Sequence, residues 1–279
     1  MGRAGRLYVV ATPIGNLGDL SPRVIEVLKS VAVVAAEDTR VTRRIFSHAG
    51  IETRMLSYRD ENEAKLAPSL VRRMEEGESV ALVSDAGTPC VSDPGYRLVR
   101  AAAAAGVEVV AVPGPSAVVA LLSVSGLPSD RFAFEGFPPS TRKARTALLA
   151  SLANGGSTTV FYESPRRVVD FLREIAAALG DPEVAIGREL TKLHEEVLRG
   201  TASAVAAAIA ERGPRGEFAI AVYVPKRATT DSATDPAEEI RALIASGMSA
   251  RDIAAKLKPR GVSRRVVYDL VETLRSSED

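Results

Sequence analysis

Two successive α/β lobes followed by a small helical tail are the architecture the sequence predicts, and three observations carry that expectation. Short β-branched runs alternate with helical segments through the first half. The rhythm changes after Leu127-Pro128-Ser129-Asp130, where two strand-like runs come close together. Finally, the polar stretch Thr229-Thr230-Asp231-Ser232-Ala233-Thr234-Asp235 separates the lobes from three short amphipathic segments. Strands that alternate with helices build a mostly parallel sheet, because parallel neighbours need a long crossover. Strands joined closely pair antiparallel. The expected division is 1–127, 128–226, a linker at 227–235 and a tail at 236–279. A chain of 279 residues suits this, since domains usually take about 100–200 residues each.

In the first half, Leu7–Ala11, Val31–Ala35, Arg54–Ser57, Ser79–Val83 and Val107–Val112 read as strands. They are almost continuously apolar, as in a sheet covered on both faces. Helices are expected at Pro22–Ser30, Thr42–Ala49, Glu61–Glu76 and Tyr96–Ala105. Ser21 caps the first, with Pro22 in the first turn where its missing N–H costs nothing; Gly50, Gly77 and Gly106 end the others. In the second half the strands are Phe132–Glu135, Thr158–Tyr162, Val184–Arg188, Glu196–Gly200 and Phe218–Val224. Helices fall at Thr141–Ala153, Pro165–Leu179 and Ala202–Arg212. The tail reads as Pro236–Ser246, Ala250–Leu257 and Arg264–Leu274, with Gly247 and Gly261 as stops and Ser249 and Ser263 as caps.

Composition narrows the function. The chain is 46% hydrophobic and 25% charged, an ordinary globular balance. No apolar run approaches the roughly 18 residues a membrane span needs. Met1–Arg6 is basic but runs straight into a strand without a cleavage-like site, so a cytoplasmic protein is expected. One cysteine, Cys90, allows no disulfide framework, and with only His48 and His194 beside it no structural metal site is expected. A net charge of +1 confines any nucleic-acid surface to local patches.

Ligands of open parallel sheets bind outside the carboxyl ends of the strands. After the first strand comes Thr12-Pro13-Ile14-Gly15-Asn16-Leu17-Gly18-Asp19, whose glycines permit close backbone approach but do not match GxGxxG; no GxxxxGK[ST] occurs either. The second strand ends in Ala36-Glu37-Asp38-Thr39-Arg40, followed by Arg43 and Arg44. These are either functional charges or a helix cap with solvated arginines. The fourth strand is followed by twelve residues, Ser84-Asp85-Ala86-Gly87-Thr88-Pro89-Cys90-Val91-Ser92-Asp93-Pro94-Gly95, whose density of rigid residues makes a plain surface loop the poorer explanation. The fifth is followed by Pro113-Gly114-Pro115-Ser116-Ala117, a turn in which Ser116 can cap a helix or hold a ligand. In the second half, Phe161-Tyr162-Glu163-Ser164-Pro165, Gly187-Arg188-Glu189-Leu190-Thr191-Lys192 and Gly213-Pro214-Arg215-Gly216-Glu217-Phe218 place polar residues at strand edges. No Ser–His–Asp or Cys–His constellation supports acyl transfer.

Taken in order, these loops resemble the tetrapyrrole methylase superfamily. SDAGTPxxSDPG and EDTR are similar to the branch that 2′-O-methylates cytidine in small-subunit (16S) ribosomal RNA, whereas the GPGD-type loop of other members is absent. The resemblance spans roughly Leu7 to Val224, and the tail resembles the helical tail of that branch. It implies two α/β domains of the methylase type with an S-adenosyl-L-methionine cleft between them, plus a helix-turn-helix-like domain. It also implies a homodimer, and an rRNA methylation enzyme acting on small-subunit ribosomal RNA or the assembled subunit of the ribosome. Carried over residue by residue, Pro13 would lie beneath the cofactor. Asp85, Ala86 and Thr88 would contact its homocysteine and ribose; Ser116 and Ala117 would add backbone and hydroxyl contacts. Phe161, Tyr162, Leu190 and Glu217 would border adenine and ribose.

A ribose hydroxyl is a poor nucleophile and needs a base or support for a developing alkoxide. Asp38, Asp93, Glu163, Glu189 and Lys192 are the candidates, with no choice among them. RNA contacts are expected from Arg40, Arg43, Arg44 and Arg59, from Arg142, Lys143 and Arg145, and from Arg264 and Arg265 in the tail. The stretch from Arg251 to Arg275 has seven basic against three acidic residues, but everything after Ser232 balances eight against eight, so the tail equally suits dimer packing. Two other functions remain: methylation of a tetrapyrrole or other small substrate, and a non-catalytic nucleic-acid-binding regulator. The basic clusters weigh against the first, and the intact Asp85, Ser116 and Glu217 against the second.

Overall fold

The computed structural model describes residues 5–226, 236–258 and 262–275. The expected linker at 227–235 and the stop at Gly261 lie outside the described residues. Residues 1–225 form one compact unit and 226–279 another.

In the first lobe β1 (Arg6–Val10), β2 (Val33–Ala36), β3 (Met55–Ser57), β4 (Val80–Val83) and β5 (Glu108–Val112) make an all-parallel sheet in the order β3-β2-β4-β1-β5. The helices α1 (Pro22–Ser30) and α2 (Thr39–Ala49) cover one face; α3 (Asp60–Glu75) and α4 (Tyr96–Ala104) cover the other. Side chains alternate along a strand. Val33 and Ala35 therefore pack with Leu70, Met74 and Leu98, while Val34 and Ala36 pack with Leu28 and Phe46. In the central β2 and β4 both faces are buried, so neither parity can be polar and these strands carry no alternation in sequence. Ser21 accepts the Val24 N–H at 3.2 Å to cap α1. The second helix begins at Thr39 rather than Thr42, because the Asp38 carboxylate accepts the Arg40 N–H at 2.8 Å and starts it a turn early. A short 3-10 turn at Leu17–Asp19 was not anticipated.

The second lobe is a mixed sheet of β6 (Phe132–Gly136), β7 (Ser157–Glu163), β8 (Glu183–Arg188), β9 (Glu196–Thr201) and β10 (Phe218–Val224), in the order β6-β7-β10-β8-β9. Only β6 and β7 run parallel, and β8 pairs antiparallel with β9 as their closeness in sequence predicts. One face packs on α7 (Val168–Leu179) and α8 (Ala202–Arg212), with Leu149 of α6 (Arg142–Leu152). The other face is covered by α5 (Ala117–Ser125), which precedes the lobe in sequence. Its Val118, Leu121 and Leu122 sit on Val160, Ala185, Ala219 and Ala221. The alanines let the helix come close to the sheet. α5 therefore leaves the first sheet and is buried against the second, holding the two together.

In the C-terminal unit α9 (Pro236–Ala245), α10 (Ala250–Leu257) and α11 (Arg264–Arg275) pack around Ile240, Ile253, Leu257, Val267 and Val271. Ser249 caps α10 by accepting the Asp252 N–H. Among the described residues no helix is long and apolar enough to cross a membrane.

Candidate functional site

Four loops leave the carboxyl ends of the first sheet and lock onto one another. Thr12 N–H donates to the Gly87 carbonyl at 2.8 Å and Gly87 N–H returns to Thr12 at 3.1 Å, joining the loops after β1 and β4. The Thr88 hydroxyl donates to the Pro115 carbonyl at 3.5 Å, reaching the loop after β5. Asp85 N–H donates to the Glu37 carboxylate at 3.2 Å, and Asp38 N–H to the Asp85 carboxylate at 2.9 Å, tying in the loop after β2. The first loop also meets the second lobe. A Cβ on Gly15 would stand 2.4 Å from Cγ of Lys192, so any side chain there would have to displace Lys192.

Between the lobes lies a cavity of about 450 Å³, within the ~300–1,000 Å³ usual for small-molecule sites. Asp85, Ala86, Thr88, Ser116 and Ala117 line it from the first half of the chain, and Tyr162, Leu190 and Glu217 from the second. Pro13 does not reach it; the neighbouring Ile14 does. Phe161 is a correction. It is fully buried and meets Phe171 edge to face at 5.2 Å, because strand alternation turns it towards α7 and gives the cleft side to Tyr162. Ser116 occupies the N-cap of α5 but its hydroxyl makes no capping bond, which leaves it available to a ligand.

Of the five proposed proton-handling residues, Asp93 and Glu163 line the cavity, while Asp38, Glu189 and Lys192 do not. Asp38 is spent on structure: it caps α2, and the Arg40 guanidinium holds its carboxyl well below the usual carboxylate range. Glu189 accepts Glu217 N–H at 2.8 Å and Lys192 Nζ at 3.1 Å; these contacts outweigh burial and keep its pKa low. Burial would lower Lys192, but Glu217 and Glu189 raise it on balance, so it stays a cation. The Glu163 side chain is buried, with one oxygen held by Arg167 at 2.8 Å and by Ser164 N–H at 2.7 Å. Among the described residues its other oxygen has no partner.

Asp93 differs from all of these. Burial, then repulsion from Glu37, raise its pKa to about 6, against a hydrogen bond from the Ser84 hydroxyl. Glu37 is itself raised by burial and by Asp85, although the Asp85 N–H partly offsets both; Asp85 is raised by burial and by Asp38. Glu37, Asp85 and Asp93 thus give the first-lobe wall a negative field suited to a cationic ligand. Of the five non-glycine residues with positive φ among the described residues, Cys90, Ser92, Glu189 and Thr191 lie in the loops that flank the cleft. Such conformations cost about 1 kcal/mol or more and concentrate where function demands them.

Sequence reasoning overlooked Glu37, Ser92 and Phe137, all of which line the cavity. Glu37 had a legible signal as a charge at the end of a buried strand. Phe137 had a weaker one, an aromatic residue just beyond a strand and followed by two prolines.

The expected RNA-contacting residues divide by partner. Arg59 donates to the Glu37 carbonyl at 3.0 Å and lies 3.7 Å from Asp38, and Arg40 pairs with Asp38. Arg145 grips Glu174 through two bonds of 2.7 Å and is committed to packing α6 on α7. Arg43, Arg44, Arg142 and Lys143 are exposed and form no ion pair among the described residues, although Arg142 lies near enough to Glu174 to help lower its pKa. Arg43 also borders a second, polar cavity together with Arg54. In the C-terminal unit Arg264 stacks over Tyr268 at 5.3 Å, and Arg265 faces Asp269 at 3.8 Å.

Over residues 6–206 the chain matches the family described as Tetrapyrrole (Corrin/Porphyrin) Methylases. The ribosomal RNA small subunit methyltransferase I of Xylella fastidiosa (strain Temecula1) is 51% identical over 225 residues, which is 80% of this chain and 82% of that protein. The protein of the same name from Synechocystis is 41% identical over 95% of this chain and 97% of its own length. That from Escherichia coli O157:H7 is 40% identical over 95% and 93%. Among solved structures, uroporphyrin-III C-methyltransferase from Thermus thermophilus, complexed with S-adenosylhomocysteine, superposes with a TM-score of 0.55 at 21% identity, over 78% of this chain and 97% of that one. A cobalt precorrin-4 methyltransferase gives 0.56 at 18% identity, over 78% and 94%. At such identities the likeness is one of fold. The chain belongs to the tetrapyrrole methylase family and, within it, to the ribosomal RNA small subunit methyltransferase I group.

Proposed function

We propose that this protein transfers a methyl group from S-adenosyl-L-methionine to the 2′-hydroxyl of a cytidine ribose in small-subunit ribosomal RNA. The observation that supports this best is the acidic wall: a half-buried cluster of Glu37, Asp85 and Asp93 on interlocked strand-end loops, facing a cavity of about 450 Å³. A cationic cofactor fits that field and volume. When bound, it supplies an electrophilic methyl group carried on a sulfonium.

The chain's own residues do the rest. Asp85, the backbone at Ala86 and Thr88, the unused Ser116 hydroxyl and Ala117 hold the cofactor's polar groups from the first lobe, while Tyr162, Leu190 and Glu217 enclose its flat portion from the second. Orientation supplies much of the rate in such a transfer. Asp93 takes the proton from the ribose hydroxyl: with a pKa near 6 it is ionised at neutral pH yet more basic than an ordinary carboxylate. Burial first, and then Asp93, raise the phenol of Tyr162, so the carboxylate acts across the cleft on the opposite wall.

RNA is held outside the cavity by Arg43, Arg44, Arg142 and Lys143, with Arg264 and Arg265 of the tail as further phosphate contacts. The protein acts in the cytoplasm as a homodimer, in keeping with exposed Val119 and Val124 on α5. Mapping ribose methylation in small-subunit ribosomal RNA from cells with and without this protein tests the proposal. One cytidine is expected to lose its 2′-O-methyl group, and an unchanged map would refute the assignment.

A further inference from the structure

We infer that Phe137 is a stacking platform for the base of the nucleotide whose ribose enters the cleft, an inference that rests on the RNA-substrate reading above. Phe46, Phe161, Phe171 and Phe218 are buried at 4% exposure or less, as phenyl rings normally are. Two phenylalanines are largely exposed, Phe132 at 49% and Phe137 at 58%, and of these Phe137 lines the cavity while Phe132 does not.

An isolated exposed hydrophobe calls for no explanation. This one is held in place. β6 shifts register against β7 between Phe134 and Gly136, and Gly136 turns the chain at φ +65°. A Cβ on Gly136 would stand 3.0 Å from the Ser92 hydroxyl of the opposite wall, so the strand end comes close to the first lobe there. Pro138 and Pro139 stiffen the chain immediately beyond the ring. The Phe137 ring meets Tyr162 edge to face at 5.8 Å, and Tyr162 meets Phe134 at 4.9 Å, so three rings brace one another. Val91 of the first-lobe loop, 40% exposed, lines the same cavity, giving each wall an exposed apolar side chain.

A rigid, open aromatic surface at the edge of a charged cavity suits a flat, weakly polar ligand with a polar attachment. An unpaired nucleobase carrying its ribose has that form, because every base offers a π-face whatever its edge pattern. Duplexed RNA does not, since its bases are stacked on one another. The nucleotide must therefore be presented unstacked.

The test uses full-length protein and small ribosomal subunits from cells that lack it, with methyl transfer from S-adenosylmethionine as the readout. Phe137→Leu keeps the bulk and removes the aromatic face. It is expected to lower kcat/KM for subunits by roughly tenfold or more, mainly through KM, with the cofactor Kd within twofold of wild type. Phe137→Trp restores activity and, as the chain has no tryptophan, introduces a lone fluorophore. Its emission should be quenched by single-stranded RNA carrying the target sequence and unaffected by cofactor alone. If wild type modifies the subunits and Phe137→Leu matches it, or if Phe137→Trp is active without quenching, the stacking role is overturned. If wild type transfers no methyl group to subunits, the substrate reading falls and this inference with it.

Discussion

The two walls of the cleft are built from the same kinds of element but carry opposite chemistry. On the first-lobe wall, Glu37, Asp85 and Asp93 sit where buried parallel strands end. Their carboxyls are all raised by burial, then adjusted by repulsion from one another or from Asp38 and by backbone N–H donors. On the second-lobe wall each lining carboxylate stands beside a cation, Glu163 beside Arg167 and Glu217 beside Lys192, which also reaches Glu189; Tyr162, Phe137 and Leu190 supply the apolar surface between them. The contrast amounts to a division of labour. Paired charges exert less field, so the second wall contributes mainly shape and stacking. The unneutralised wall is the one able to attract a cation and move a proton.

The sharpest way to break this comparison is Asp93→Asn. Removing the base should lower kcat by about 10²–10⁴-fold, while cofactor affinity stays within about threefold, a difference under ~0.7 kcal/mol. In the wild type, Asp93 is protonated below about pH 6, so the rate should fall with acidification along a limb centred near that pH. Absence of that limb in the wild type would remove Asp93 from the chemistry. Asp85→Ala should matter less for chemistry and more for binding. It deletes the acceptor for Asp38 N–H together with one charge of the wall, and should weaken the cofactor about tenfold by calorimetry, or ~1.4 kcal/mol. Equal binding would show that the acidic wall does not hold the cofactor.

The smallest expected effect concerns the surface beyond both walls. Arg43→Ala should weaken RNA binding only a few-fold but reduce the slope of log affinity against log salt by about 1. Arg145→Ala should leave that slope unchanged and instead lower thermal stability, since its guanidinium is bonded to Glu174. If the two substitutions behaved alike, partner occupancy would not be what separates RNA-contacting from structural arginines.

Much of the fold was legible because its signals are local. The ten strands fall within a few residues of their expected places, from apolar runs bounded by glycine, proline and caps, and β10 matches at both ends. The cavity was legible in its loops, since Asp85, Thr88, Ser116 and Tyr162 all line it. Errors arose where neighbouring residues point in opposite directions. Phe161 and Tyr162 look equivalent in sequence, yet one faces α7 and the other the cleft.

What the amino-acid order determined alone was the alternation of elements, their caps and the set of strand-end loops rich in glycine, proline and carboxylates, all interactions that span a few residues. Tertiary structure decided which carboxylates crowd into a half-buried space, that α5 is buried against the second sheet rather than the first, and that Phe137 stays open to solvent. Each of these depends on long-range approach, such as Glu37 to Asp85 or Gly136 to Ser92. Burial and charge proximity are properties of the assembled fold, and they make Asp93 basic while Asp38 stays acidic.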